Sequence, residues 1–306
     1  MKNTISFFIY FFAFWMTPLY AADQLQSKPQ MVGNLLINIS NTDKYHDFEY
    51  SINEKKLNLI KEGKVVREEK DGRTYRIKQG SSFSEAWKTN RGKQYVDEKQ
   101  FRTVFSQYDL TKFRKLVFQK DCEPTKSYQL KSTSTSLPND IYPYQFTSNE
   151  QKSKMVYTFY PGGPGLLIDL NNMSMSKAFC NDNLGNVVWD SSGKYVAYAK
   201  ADSKNTQNKV ITVRDMINGK LILEKAIDDR VSGIAWAPSS EFVAVLTESE
   251  RMGLWPWELL SAFAGHPVPH NSFYLTIYDI SGTELMSQKI IGNITYGTGS
   301  IIWATE

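Results

Sequence analysis

Apolar and polar positions alternate in short runs along most of the chain. Gly, Asn, Asp and Ser break those runs, which is the pattern of β-strands joined by tight turns. The clearest stretch begins at Asn186. VVWDSSGKYVAYAK reads as strand, turn and strand: Val187 to Trp189 are apolar, Asp190-Ser191-Ser192-Gly193 has turn chemistry, and the apolar run resumes at Tyr195. KVITVRDMINGKLILEKAI then reads as a hairpin turning at Asn218-Gly219. The same order recurs. GIAWAPSSEFVAVLTES gives strand, turn and strand, and FYLTIYDISGTELMSQKII gives a second hairpin turning at Ser281-Gly282. Trp189 matches Trp236 near the end of the first strand of each unit, and Asp215 matches Asp279 near the end of the third. An Asp there can accept hydrogen bonds from its own downstream backbone and hold the turn.

Weaker copies precede these two. KKLNLIKEGKVVREE (55–69) reads as a hairpin with Glu62-Gly63 at its turn. Residues 100–121 read as another, around Lys112, and residues 154–172 as a third, around Pro161-Gly162-Gly163-Pro164. The five turns fall about 49, 50, 57 and 63 residues apart. A four-stranded unit recurring at about that period predicts β-propeller blades. The other arrangement is a β-rich N-terminal domain joined to a partial propeller. GSIIWATE (299–306) matches the first strand of a blade, with Trp303 in the place of Trp189 and Trp236. The strands that should follow it are sought at the other end of the chain, where DFEYSINE and residues 55–69 read as strands two, three and four. Pairing of the two ends within one blade is therefore expected, and it would remove exposed sheet edges.

At these residues the sequence resembles the WD40/TolB-like propeller superfamily. VVWDSSGKYVAYA is similar to that superfamily's W-S-P-D-G-K-Y-I-A strand–turn–strand, and ITVRDMINGK to its I-x-V-x-D-x-x-x-G-K strand and turn. The likeness covers residues 186–303. It lacks the blade-opening Gly-His and the Trp-Asp ending of true WD40 repeats. It implies a shape and a habit of binding partners, with no one activity. The expected fold is all-β: a propeller of about five or six four-stranded blades over residues 22–306. The clear blades are at 186–228 and 231–291.

A long insertion, ERMGLWPWELLSAFAGHPVPHNS (250–272), interrupts the second clear blade. Pro256 suits the first turn of a helix, Glu258 favours that end and Gly265 suits the stop. Trp257, Leu260 and Phe263 share one face at helical spacing, and Leu254 and Trp255 add apolar surface. Two readings follow: the helix folds back to fill a gap against the blades, or Trp255, Trp257, Leu260 and Phe263 meet a partner or a membrane.

Composition and charge refine this picture. The 306 residues are 41% hydrophobic and 13% aromatic, which excludes a disordered chain. Residues 1–21 read as a signal peptide: Lys2, an apolar run from Ile5 to Trp15, the Pro18 break and the small Ala21. An uncleaved anchor is the other reading. Export to the periplasm or beyond would make Cys122–Cys180 a disulfide, against the alternative of two buried thiols. Residues 23–122 hold 20 Lys and Arg against 14 Asp and Glu, a balance of +6, while residues 123–306 hold 15 against 18, or −3. The basic residues are interleaved with acids, so a solvated surface is expected and nucleic acid is not.

Other motifs carry little chemistry. Pro-Gly-Gly-Pro-Gly at 161–165 is similar to an oxyanion loop of prolyl-aminopeptidase-type hydrolases, but the sequence has no G-x-S-x-G. S-x-x-K occurs at Ser174 and at Ser191, the latter inside a blade turn. His266 and His270 flank two prolines and do not share a helical face. Asn181-Asp182-Asn183 lacks the spaced carboxylates of a calcium loop. The Trp189, Trp236 and Trp303 series reads as blade packing, with a ring of aromatics gripping a sugar or peptide as the alternative. Asn38, Asn172 and Asn293 open glycosylation sequons. No catalytic residue, metal or cofactor is indicated. The expected function is an exported, non-enzymatic binding propeller with a protein or peptide partner. The alternative is a propeller hydrolase or lyase using carboxylates at the channel mouth.

Overall fold

The computed structural model describes residues 30–70, 73–78, 80–90, 126–129, 145–149, 151, 153–158, 163–179, 182–201, 208–252, 256–264 and 268–304. The chain divides into two units, 1–30 and 31–306, and every strand and helix named below belongs to the second. The signal-peptide segment, the 100–121 hairpin, Cys122, Cys180 and Trp255 lie outside the described residues.

The strands form antiparallel blades in chain order. The first described blade is β6 (Gln145–Ser148), β7 (Lys154–Thr158), β8 (Gly163–Asp169) and β9 (Ser174–Ser176), with the short β5 (Ser127–Gln129) added outside β9. The second is β10 (Asn183–Trp189), β11 (Tyr195–Ala201), β12 (Asn208–Asp215) and β13 (Leu221–Ala226). The third is β14 (Arg230–Trp236), β15 (Phe242–Met252), β16 (Pro269–Asp279) and β17 (Glu284–Thr295). The last draws on both ends of the chain. Its first strand is β18 (Thr298–Ala304), followed by β1 (Asn34–Ser40), β2 (Lys44–Ser51), β3 (Lys56–Lys70) and β4 (Arg73–Lys78). The expected joining of the termini is thus present: β18 and β1 run antiparallel from Asn34↔Ala304 through Ile37↔Ile301 to Ser40↔Thr298. The first strands of successive blades, β6, β10, β14 and β18, are spatial neighbours, as a propeller requires.

Core formation explains the strand sequences. A blade between two others buries both faces, so FVAVL in β15 is a continuous apolar run. Val243 and Val245 enter a core with Val188, Ala197, Ile211 and Trp236. Ala244 and Leu246 enter the next one, with Leu35, Ile37, Ile39, Phe273 and Ile301. Each core fills the space between consecutive blades.

Two kinds of repeated bond index the blades. The Trp189 indole N–H donates to the Thr147 carbonyl (3.2 Å) and that of Trp236 to the Val188 carbonyl (3.1 Å). Each stitches a blade to the one before it. The turn aspartates behave as their sequence position implies. The Asp215 carboxylate accepts from the Ile217 and Asn218 amides (2.8 and 3.3 Å), and that of Asp279 from the Thr283 amide (2.8 Å). Burial pushes the Asp279 carboxyl up, but its bonds from Ser281 and Thr283 outweigh this and hold it below the usual carboxylate range. Asp169 makes the same turn in the first described blade, accepting from the Asn171 and Asn172 amides.

Four expectations are corrected. Residues 55–69 are not a hairpin but lie almost wholly within one 15-residue strand. Gly63 sits inside it opposite Tyr45, and a Cβ there would lie 2.6 Å from the Tyr45 ring, so glycine serves a close approach and not a turn. Gly163 and Pro164 open β8, the third strand of its blade, whereas 218–219 and 281–282 connect third to fourth strands; the matching turn is at Asp169. The second strand of the terminal blade is NLLINIS (β1), upstream of DFEYSINE. A helix, α1 (Ser82–Asn90), also appears where only strands were expected. Ser81 caps it, accepting from the Ser84 amide at 3.1 Å.

Candidate functional site

The insertion does not interrupt its blade. It lengthens a hairpin. Pairing between β14 and β15 ends at Arg230↔Glu248, but β15 and β16 continue through Glu250↔Asn271 and Arg251↔His270 to Met252↔Pro269. Helix α2 (Pro256–Phe263) sits between the two strands, with Pro256 in its first turn as the sequence predicts. Its exposure is inverted. Trp257, Leu260 and Phe263 are 60%, 69% and 88% exposed, while Ser261 and Ala262 are only partly so. A helix held by burial of its apolar face would show the opposite. The structure therefore brings Trp257, Leu260 and Phe263 together on an open surface, and the fold-back reading does not hold for them.

The base of this hairpin is polar and buried. Glu248 is 3% exposed and ion-pairs with Arg230 of β14. Burial pushes the Glu248 carboxyl up, with Arg230 opposing. The Asn271 side chain donates to the Gly297 carbonyl (2.9 Å), linking β16 to the turn before β18.

Two other buried polar clusters escaped the sequence reading. In the terminal blade the Asp47 carboxylate accepts from Asn38 Nδ2 (2.6 Å), Ser81 Oγ (2.8 Å), Ser82 Oγ (3.2 Å) and the Phe83 amide (3.3 Å). Lys78 donates to Asn38 Oδ1. Burial pulls the Lys78 ammonium down and Asp47 pushes it up, with burial the larger. This network pins the start of α1 to the sheet. In the second blade the Asp182 carboxylate accepts from Tyr198 Oη (2.7 Å) and lies near Lys200 (3.8 Å) and Arg214 (3.7 Å). Burial, with Asp182 adding to it, pushes the Tyr198 phenol up. Both clusters are internally satisfied and act as fasteners. Asp182 stands in the sequence as part of a set-aside calcium loop and Asn38 as a glycosylation sequon, and neither signal points to these clusters.

The remaining motifs resolve as follows. His270 lies on β16 opposite Arg251, while His266 lies outside the described residues. Ser191 Oγ donates to the Pro238 carbonyl (2.9 Å), a tie between blades. Asn38 is buried and bonded to Asp47, so that sequon is closed to modification, whereas Asn172 and Asn293 are exposed. Among the described residues no three His, Cys, Asp or Glu converge on a metal position. No helix there is long and apolar enough to cross a membrane.

No protein-family model matches the chain. Over 102 residues it is 30% identical to Elongator complex protein 1 of Schizosaccharomyces pombe; the match covers 29% of this chain and 8% of that protein, so the chain spans under a tenth of its length. Among solved structures it is similar to TolB from Acinetobacter baumannii, at 11% identity and a TM-score of 0.45, covering 88% of this chain and 66% of that one. It is also similar to the acylaminoacyl peptidase of Pyrococcus horikoshii, at 12% identity and a TM-score of 0.30, covering 47% of this chain and 22% of that one.

Proposed function

We propose that this chain is an exported, non-enzymatic propeller that holds a protein or peptide partner, with helix α2 as the docking element. The observation that carries the reading is the inverted exposure of α2, where Trp257, Leu260 and Phe263 face outward and Ser261 and Ala262 do not. Aromatic and aliphatic side chains on a protruding element are the chemistry of an interface anchor. Burying a residue such as Leu260 or Phe263 against a partner would contribute about 1.5–3 kcal/mol each. Export is supported by Lys2, the apolar run after it and Ala21.

The test places a photo-crosslinking amino acid at position 257 and irradiates cells producing the protein. A protein adduct is expected, and the double change Leu260→Ser with Phe263→Ser should reduce it several-fold while moving the melting temperature by no more than about 2 °C, because exposed side chains contribute little to folding. Adducts with lipid alone, or a double variant that unfolds, would contradict the reading.

A further inference from the structure

A cleft of about 550 Å³ lies where the first described blade meets the β12–β13 turn of the second. Its wall is one face of the β7–β8–β9–β5 sheet. Residues directly opposite one another on antiparallel strands share a face, and two such rows cross this wall. One runs Lys154↔Asp169, Asp169↔Ser174 and Ser174↔Gln129. The other runs Leu167↔Ser176 and Ser176↔Ser127. Met216 to Gly219, from the neighbouring blade, form the facing side.

The polar groups on this wall are unusually idle. Ser127, Gln129, Ser174 and Ser176 make no side-chain hydrogen bond among the described residues, although Ser174 is only 8% exposed. Buried hydroxyls normally find a partner. Lys154 donates to the Met216 carbonyl (3.1 Å) and has no carboxylate within 4.0 Å among the described residues. Asp169, directly across from it, is occupied by its own turn, accepting from two amides and from Asn172 Nδ2. The cleft therefore offers one ammonium without a counter-ion and four neutral side chains that donate and accept, beside the apolar floor of Leu167. Its volume is that of a small-molecule site.

We propose that this cleft binds a small hydroxyl-rich monocarboxylate, such as a sugar acid. Lys154 receives the carboxylate, and Ser127, Gln129, Ser174 and Ser176 receive the hydroxyls. A single ammonium with a carboxylate opposite it favours one negative charge over two, which disfavours a phosphate dianion. The site lies on a different blade from α2 and does not depend on the docking reading.

Calorimetric titration of the purified protein tests this with glucuronate as the probe, against glucose, acetate and glucose 6-phosphate. Saturable binding of glucuronate is expected, with each of the other three at least about tenfold weaker, the usual worth of one charge-assisted bond or a set of hydroxyl contacts. Lys154→Gln should weaken glucuronate by about tenfold or more. Ser127→Trp, on the exposed outer strand, should fill the cleft and remove binding without changing the melting temperature, so the test survives a poorly folded Lys154 variant. Equal binding of glucuronate, glucose and acetate, or unchanged affinity in Ser127→Trp, would overturn the proposal.

Discussion

The third blade and the terminal blade have the same strand order but different neighbours. The third blade, β14 to β17, is made from contiguous sequence and lies between two others. Its second strand reads FVAVL and buries both faces in apolar cores. The terminal blade is assembled from β18 and β1 to β3, with β4 added outside β3, and its second strand reads NLLINIS. Leu35, Ile37 and Ile39 enter the core shared with the third blade. Asn38 and Ser40, on the opposite face, are just as buried, but Asn38 belongs to the network of Asp47, Lys78 and α1. Alternation in a blade strand thus reports what covers its second face: another blade selects an apolar run, and a capping helix selects a polar network. The tryptophans mark the same divide. Trp189 and Trp236 bond to the preceding blade, whereas the Trp303 indole donates to the Val32 carbonyl (3.0 Å), just upstream of its own partner strand.

The widest separation of the two blades should come from removing residues 299–306. That takes away Ile301, Ile302 and Trp303, all nearly fully buried, and at about 1.5–3 kcal/mol for each such side chain the loss rivals the whole stability of a domain. The truncated protein should show no cooperative melting transition above room temperature. A melting curve close to that of the full chain would show that the pairing contributes little.

Asp47→Ala ranks next. It leaves Asn38, Ser81 and the start of α1 without their acceptor and strips the nearby Lys78 ammonium of its charge partner, a loss of about 3–5 kcal/mol in denaturant titration. A change below 1 kcal/mol would mean the polar face is not what fastens α1.

The tryptophan contrast is smaller and sharper. Trp189→Phe leaves the Thr147 carbonyl, on a buried residue, without its donor, costing about 1–3 kcal/mol. Trp303→Phe should cost less on this account, because Val32 is 50% exposed and water can replace the indole. Equal losses would erase the distinction between the two stitches.

The smallest effect is on pH dependence at the hairpin base. The folded-state pKa of Glu248 is raised, so its ionised form is the one folding disfavours. Its contribution is most favourable below the unfolded pKa and declines as pH rises towards the folded one. Glu248→Gln should flatten that decline in a pH series of melting temperatures, whereas a steeper decline would assign the slope to other groups.

Much of this was legible in the sequence for identifiable reasons. Trp189 and Trp236 fall at equivalent strand ends, and Asp215 and Asp279 hold equivalent turns, because each does the same local job in its copy. Local chemistry repeats, so it can be seen. Gly63 was misread because a glycine required for packing against Tyr45 looks the same in sequence as one required for a turn. Asn149 stands where Asp190 stands in the next blade, its Oδ1 accepting from the Ser153 and Lys154 amides, and the amide-for-acid exchange hid the copy. The α2 residues were picked out by helical spacing, but their outward direction depends on the lengthened hairpin register. The Lys154 cleft depends on β5 pairing with β9 across 45 or more residues, which no local pattern encodes.

The central claim is that the two ends of the chain share one sheet, and methyl NMR of deuterated protein labelled at the Ile and Ala methyl groups reads it most directly. Directly opposed residues have Cβ atoms about 4.5–5.5 Å apart, so Ile37 and Ile301, paired in register, should show a strong cross-peak between their methyl groups. Ile277 and Ala244, opposed within the third blade, provide the reference. A cross-peak of comparable strength is the expected result. Its absence, with the Ile277–Ala244 peak present, would contradict the pairing of the termini.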